Sequence, residues 1–264
     1  MLCLEMHIKD RNLLRLIKRF LKTGIMENGT YVKGELGTPQ GSILSPVLAN
    51  IYMYYVLILW FEKEIKPKHK GYIEIINYAD DMVICFQDKS TAEETYKQME
   101  NRLKKCGLEF AKDKTRLIEF GRFASENRKR KGLGKPETFD FLGFTHYCSK
   151  SKDKKYFRIK RKTAKKKYAK KLQEYNTWVK NNRYKPLKEI METTKRKLIG
   201  HYNYFGITDN SLSIAKFTNE IIKILFKWLN RRSQRKSYTW EELNQMLKIF
   251  QFPKPKIKVN IYAI

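Results

Sequence analysis

Cysteine is scarce in this chain of 264 residues, and its spacing excludes two classes of site. The four cysteines, Cys3, Cys85, Cys106 and Cys148, are widely separated, with no C-x-x-C pair and no pair of histidines nearby. A zinc site and a disulfide framework both need closely grouped ligands or paired thiols. We therefore expect reduced thiols and a cytoplasmic location.

The chain also lacks an apolar run long enough to cross a membrane. The longest run, Val47 to Phe61, is interrupted only by Asn50 and is shorter than the ~20 residues that a bilayer span needs. Residues 1–19 mix charges into every turn, unlike a signal peptide. The apolar run is therefore predicted to be a buried helix.

Acidic side chains are few in the second half of the chain. Residues 1–148 hold 25 basic and 19 acidic side chains, whereas residues 149–264 hold 31 and 8, so the net charges are +6 and +23. A field of one sign concentrated in one half predicts a polyanionic partner. Nucleic acid fits this description best, and a membrane surface is the weaker alternative, so no membrane partner is expected.

The charge is densest from Lys150 to Lys171, where 13 of 22 residues are basic and Asp153 is the only acid. A solvated charge run is the usual explanation for such a block. Aromatic residues are interleaved with it, however, and this mixture suits phosphate contact together with stacking on bases or sugars. The predicted RNA-binding residues in this block and in a second basic run are Lys160, Arg161, Lys165, Lys166, Arg231, Arg232 and Arg235.

Hydrophobic periodicity and turn residues predict an α+β first half. The predicted elements are a helix near 10–23, a helix from Ser45 as N-cap to about Ile65, strands at 72–76 and 82–86, a helix opened by a capping box at Ser90–Glu93 and ending at Gly107, strands at 108–110 and 116–120, a loop at 122–136, and a strand or hairpin at 139–147. This order is most of a split βαβ unit, in which helices cover one face of an antiparallel sheet.

The second half is predicted to be a small, basic, all-helical domain. Helices are expected at 186–199, 217–229 and 240–250, with an aromatic turn between Gly200 and Gly206. The predicted domains are therefore residues 1–148 and 149–264.

An acidic pair, Asp80 and Asp81, lies between the two strands of the first predicted hairpin. Two adjacent carboxylates at a turn repel each other, and a hard cation such as Mg²⁺ relieves that repulsion. Aspartate is also a common turn residue, so by itself the pair supports both an ordinary turn and a metal site.

The motifs taken in order resemble the group II intron reverse transcriptase and maturase family. Residues 37–41, 45–52 and Tyr78-Ala79-Asp80-Asp81 carry the resemblance. It continues through Lys112–Thr115, similar to the family's motif D, and through residues 139–144, similar to its primer-grip hairpin. Residues 200–206 and 228–234 resemble the family's thumb, also called domain X, which carries maturase activity.

The resemblance implies an RNA-directed DNA polymerase with a palm at 1–148 and a thumb at 149–264. Asp80 and Asp81 would be catalytic ligands of two Mg²⁺ ions, and the partners would be intron RNA, an RNA template, a DNA primer and deoxynucleotide triphosphates. The other implied roles are nucleotide binding by Gln40, Gly41 and Lys114, and primer or template contact by Tyr78, Phe141, Leu142 and Gly143.

One departure from the family pattern lies at the front. The family's fingers and its first catalytic aspartate precede the first predicted helix, and residues 1–9 do not match them. We therefore expect an N-terminally truncated polymerase that does not extend a primer by itself, and that is inert or works with a second copy or a complementing fingers fragment. The alternative is an RNA-binding splicing cofactor with a vestigial polymerase site.

Overall fold

The computed structural model describes residues 1–22, 25–27, 30–32, 43–151, 153–232 and 237–263, with the backbone alone at 25–27 and 30–32. These residues form two compact units, Met1–Leu117 and Ile118–Ile264. The predicted boundary after residue 148 separates the expected palm from the expected thumb, and it stays a prediction. Among the described helices, none is long and apolar enough to span a bilayer.

The first unit mixes helices with two small antiparallel sheets. Its elements are α1 (Leu2–Glu5), α2 (Arg11–Lys22), β1 (Ile25–Glu27), β2 (Thr30–Val32), α3 (Ser45–Met53), π-helical turns at Tyr54–Ile58 and Phe61–Ile65, a 3-10 turn at Lys66–Lys68, β3 (Ile73–Tyr78), β4 (Asp81–Phe86) and α4 (Lys89–Lys105). Strand β1 pairs with β2, and β3 pairs with β4.

The predicted helix at 45–65 is present, but its burial lies in its second part. Pro46 occupies the first turn, where its missing N–H removes no hydrogen bond, and Leu44 rather than Ser45 is the N-cap. The buried side chains lie in the π-helical turns and include Leu57 and Phe61. A π turn has wider backbone hydrogen bonds than an α-helix. Within the first π turn, the Val56 carbonyl accepts a hydrogen bond from Arg102 Nε at 3.0 Å.

The core of the first unit holds the helix and the hairpin together. Phe61, Ile65 and Ile73 are buried in one cluster, against which Ile75 and Ile84 of the hairpin pack. The predicted hairpin is therefore confirmed. Strand β3 ends and strand β4 begins directly at the turn, rather than a few residues away from it.

Two predictions for the next segment are wrong. Helix α4 begins at Lys89 after Asp88 as N-cap, without the predicted capping box at Ser90–Glu93, because the helix starts before that box. Residues 108–110 and 116–120 are not strands. Instead, a tight turn forms in which the Ala111 carbonyl accepts from the N–H groups of Lys114 and Thr115, each at 2.9 Å.

The second unit is built from a three-stranded sheet and four long helices. Its elements are α5 (Ala124–Arg130), β5 (Phe139–Phe141), β6 (Phe144–Lys150), β7 (Phe157–Thr163), α6 (Lys165–Asn182), α7 (Leu187–Phe205), α8 (Ser211–Leu229) and α9 (Trp240–Ile249). The strand order is β5-β6-β7, and both pairings are antiparallel.

The sheet corrects several predictions. Residues 149–264 are not all helical, because β7 forms in the basic block, where Phe157 and Ile159 alternate with cations. The predicted loop at 122–136 contains α5. In the described part of the chain the hairpin β3–β4 is a separate two-stranded sheet, so the strands do not join into the predicted split βαβ unit.

The helices of the second unit enclose two neighbouring cores. One includes Tyr175, Tyr202 and Phe217, and the other includes Met191, Leu225 and Leu243. The predicted aromatic turn at 200–206 is wrong, because α7 continues through Gly200 to Phe205 and only Gly206 follows the helix. A Cβ at Gly206 would lie 2.3 Å from the Tyr202 carbonyl oxygen, so glycine permits this close approach.

Candidate functional site

The acidic pair lies at the end of the β3–β4 hairpin. Tyr78 pairs with Asp81, so Ala79 and Asp80 form a two-residue loop. Ala79 has a φ of +54°. Two-residue hairpin turns whose twist matches that of the strands need a positive φ at this first loop position. A non-glycine residue in this region costs about 1–3 kcal/mol, and the hairpin pairing holds it there. The turn thus presents two neighbouring carboxylates at one end of a short sheet.

Both carboxylates are exposed, and neither has a hydrogen bond or an ion pair with the described residues. Within the described residues no side-chain cation pairs with them to offset their mutual repulsion, which an oxygen-preferring divalent cation would relieve. The described residues contain no group of three or more acidic, histidine or cysteine side chains that could hold a metal. The pair thus fits Mg²⁺ as a partial ligand set.

Two other predicted residues lie in the same unit. Tyr78 ends β3 directly opposite Asp81 and is 65% exposed. Lys114 is exposed in the turn that follows α4, and its backbone N–H is bound to Ala111. The structure brings Tyr78 beside the acidic pair, whereas Lys114 lies on a different turn. Gln40 and Gly41 lie outside the described residues.

The predicted primer-contacting residues form a second tight turn. Phe141 pairs with Phe144, so Leu142 and Gly143 are the two loop residues, with φ values of +49° and +78°. Positive φ at both loop positions is the geometry that usually selects Asn-Gly. Here leucine occupies the first position, held by a hydrogen bond from Tyr204 Oη to its carbonyl at 2.9 Å.

This turn is anchored to the end of α7 by aromatic side chains. The ring of Phe144 stacks on Tyr204 with centroids 5.8 Å apart and lies 5.2 Å from Phe205. Gly143 faces the same Phe205 ring. Residues predicted separately, as a primer-grip hairpin and as a thumb segment, therefore pack together. Tyr204 and Phe205 as anchors were missed, because a turn rather than a helix was predicted there.

Asn210 is a second connection that sequence reasoning missed. It is fully buried between β7 and α8, where its Oδ1 accepts from the Thr163 backbone N–H at 2.8 Å. Its Nδ2 donates to the Phe205 carbonyl at 2.8 Å. One side chain thus ties the end of α7 and the start of α8 to the sheet. No sequence signal separates such an asparagine from a surface turn residue.

The predicted RNA-binding cations occupy three places in the second unit. Lys160 and Arg161 lie on β7, and Lys165 and Lys166 lie in the first turn of α6. Cations at a helix N-terminus oppose the helix dipole, so these lysines do not stabilise α6.

Arg231 and Arg232 follow α8, where the dipole favours them. Arg231 lies 5.5 Å from the Trp228 ring, and Arg232 donates to the Lys185 carbonyl at 2.7 Å. Arg235 lies outside the described residues.

Comparison with known proteins identifies the family of this chain. The model of the family "Reverse transcriptase (RNA-dependent DNA polymerase)" matches residues 3–146, more than half of the chain. The group II intron-encoded protein LtrA of Lactococcus lactis subsp. cremoris is 53% identical over 51 residues, which are 19% of this chain and 8% of LtrA. A COX1/OXI3 intron 1 protein of Saccharomyces cerevisiae is 42% identical over 72 residues, 27% of this chain and 8% of that protein.

The matched segments thus cover less than a tenth of the length of these relatives. The family match covers the hairpin with the acidic pair and the whole turn at Leu142–Gly143. The chain therefore belongs to the reverse transcriptase (RNA-dependent DNA polymerase) family, and its predicted resemblance to the group II intron reverse transcriptases and maturases is confirmed.

Proposed function

We propose that this chain is an RNA-directed DNA polymerase and intron maturase of the group II intron type, with Asp80 and Asp81 as the metal-binding catalytic residues. The observation that carries the proposal is the turn of the β3–β4 hairpin. It presents two exposed carboxylates that form no ion pair with a described side chain, inside the segment that matches the reverse transcriptase family. Its substrates would be a DNA primer, an RNA template and deoxynucleotide triphosphates.

The residues of the turn would divide the work in the following way. Asp80 and Asp81 would hold Mg²⁺, and two such ions would supply activation of the primer hydroxyl and stabilisation of charge on the phosphates. Tyr78, exposed beside the pair, contacts the primer end. Lys114, which is exposed, would offer its ammonium group to the leaving phosphate, and Gln40 and Gly41 would line the nucleotide.

The acidic pair does not complete a two-ion site. Two carboxylates from one turn cannot surround two ions, and misplacement by about 1 Å can lower a rate ~10²-fold. We propose that a further carboxylate comes from another segment, supplied by a second copy or by a complementing fingers fragment. The purified chain by itself is then expected to be inactive or nearly so.

The second unit would supply nucleic-acid affinity for both activities. It contains most of the basic residues, including Lys165 and Lys166, which stand where the dipole of α6 disfavours cations. Intron RNA is the proposed maturase partner, bound mainly through phosphates and therefore with a strong dependence on salt.

Primer extension tests the proposal. The chain is incubated with an RNA template, a DNA primer and nucleotides, by itself and with a separately expressed fingers segment from a relative. Extension is expected with the added segment, and removal of Mg²⁺ by EDTA should abolish it. Robust extension by the chain alone would contradict the need for a further segment. RNA binding without extension under any condition would favour the splicing-cofactor alternative.

A further inference from the structure

The turn of the β5–β6 hairpin has a backbone conformation that its own sequence does not favour. Leu142 has a φ of +49° and Gly143 has a φ of +78°, so both loop residues lie in the left-handed region. Glycine adopts this region readily, whereas leucine is rarely found in it, because its Cβ crowds the backbone. Contacts from outside the hairpin must therefore stabilise the backbone of Leu142.

Two hydrogen bonds from outside the hairpin hold the carbonyl groups of the two loop residues. The Leu142 carbonyl accepts from Tyr204 Oη at 2.9 Å. The Gly143 carbonyl accepts from the Ala164 N–H at 2.9 Å. Tyr204 lies in the last turn of α7, and Ala164 is the N-cap of α6. The loop is thus attached to the end of one helix and to the start of another.

The side chain of Asn210 connects these two attachments to each other. Its Oδ1 accepts from the N–H of Thr163, the neighbour of Ala164, at 2.8 Å. Its Nδ2 donates to the carbonyl of Phe205, the neighbour of Tyr204, at 2.8 Å. Asn210 is fully buried, so water does not compete for these bonds. The two attachments therefore keep a fixed separation, and the loop meets both of them in its left-handed conformation.

The hydroxyl group of Tyr204 is the part of this arrangement that can be removed alone. Its ring stacks on Phe144, with 12° between the ring planes and 5.8 Å between the centroids. Phe144 is buried in the helical core, which fixes the tyrosine ring in turn. A phenylalanine at position 204 would keep this stacking and would lose only the hydrogen bond to the turn.

We propose that Tyr204 is a positioning residue for primer extension and that it acts through the Leu142–Gly143 turn. Its hydroxyl stabilises the left-handed backbone of Leu142, which is the conformation that receives the primer. Without this bond the receptive conformation is less populated, and the apparent affinity for the primer falls by the same fraction. Bound primer selects the receptive conformation again, so the rate at saturation is kept. This inference rests on the proposed function, in which the turn contacts the primer.

Steady-state primer extension with the added fingers segment tests this role. Tyr204→Phe should raise the KM for the primer–template duplex by up to ~5-fold, the change in an equilibrium that one hydrogen bond of ordinary strength gives. The kcat should stay nearly unchanged.

Tyr262→Phe is the matched control for the loss of a hydroxyl group. Tyr262 is also a partly exposed tyrosine of the second unit, and its Oη donates to Asp209 at 2.6 Å. Its ring lies 4.2 Å from the guanidinium of Arg158, which is at the end of β7 opposite to the turn. This variant should keep the KM of the unaltered chain.

A second pair of variants tests whether Tyr204 acts through the backbone of the turn. Asparagine accepts a positive φ at the first loop position, so the turn of a Leu142→Asn chain depends less on the tyrosine hydroxyl. Tyr204→Phe should therefore change the KM less in the Leu142→Asn background than in the original chain. Hydrogen exchange of residues 141–146, which needs no activity, should be faster in Tyr204→Phe and unchanged in Tyr262→Phe.

The outcomes separate this inference from the proposed function. Unchanged hydrogen exchange at the turn in Tyr204→Phe, an unchanged KM, or equal effects on KM in the two backgrounds would overturn the inference while the proposed function stands. Absence of extension by the unaltered chain with the added fingers segment would overturn the proposed function, and this role with it.

Discussion

At the scale of single residues, His201 shows how burial lowers the pKa of a histidine side chain. It lies in the core with its ring stacked on Phe217 at 3.7 Å between centroids, and its Nε2 has no hydrogen-bond partner among the residues that the structure describes. Burial, with a smaller effect from the charge of Lys171, lowers its pKa from 6.5 to about 4. The native state therefore favours the neutral imidazole over a range in which the unfolded chain takes up a proton.

This difference predicts a pH dependence of stability. Because the native pKa is depressed, the contribution is present above pH 6.5 and is lost as the pH falls toward 4, up to about 3 kcal/mol. His201→Phe keeps an aromatic ring in the core and removes the titration. Urea unfolding at several pH values, followed by tryptophan fluorescence, should show a flatter pH dependence in the variant between 6.5 and 4. Parallel curves would contradict the assignment; His146, whose pKa is also lowered, titrates in both proteins.

At the scale of elements, the second unit depends on pairing that crosses the predicted domain boundary. Strand β6 begins before residue 149 and pairs with β7 along its length. Phe144 of β6 contributes to the helical core, and loss of a buried phenylalanine costs about 3–5 kcal/mol. Residues 118–148 thus pack with residues 149–264 in one compact unit.

Two fragments test this dependence. Residues 118–264 should fold cooperatively and bind RNA with strong salt dependence, whereas residues 149–264, without β5 and β6, should melt at a clearly lower temperature. Circular dichroism during heating measures both. Equal melting temperatures would show that the helices do not need the sheet.

The helices and the first hairpin could be predicted because their signals are local. Apolar spacing located α2 and α9 to within one residue at each end, and it found α8 only from residue 217 onward, although that helix begins at Ser211. Two β-rich runs around Asp80 located the hairpin. The strand β7 was hidden by its lysines and arginines, since its pairing partner determines its conformation. Gly200 suggested a turn, but tertiary packing on both sides of α7 outweighs the ~1 kcal/mol cost of a helical glycine.

The candidate site was predictable to a similar degree. The acidic pair and the Leu142–Gly143 turn were found from motifs, because short turns are encoded by adjacent residues. The anchors Tyr204 and Asn210 were not, since they act through contacts about 50 to 60 residues away in the chain. Lys160 and Arg161 lie on opposite faces of β7, and this assignment also required the strand register, which the sequence alone does not fix.

At the scale of the whole molecule, different parts of the chain have different proposed tasks. The acidic pair stands in the first unit, whereas the net charge of +23 is carried by residues 149–264. Chemistry and affinity should therefore respond separately to mutation. Loss of a metal ligand should leave RNA binding nearly unchanged, because phosphate contacts by the second unit supply it.

The most direct test compares Asp80→Asn with Asp88→Asn. Both remove one exposed carboxylate near an end of the β3–β4 hairpin, but only Asp80 belongs to the proposed metal site. In the extension assay with the added fingers segment, Asp80→Asn should lower Mg²⁺-dependent primer extension at least ~10²-fold, and Asp88→Asn should retain it. RNA affinity should be equal in both. Extension by Asp80→Asn at the rate of the unaltered chain would contradict the central claim.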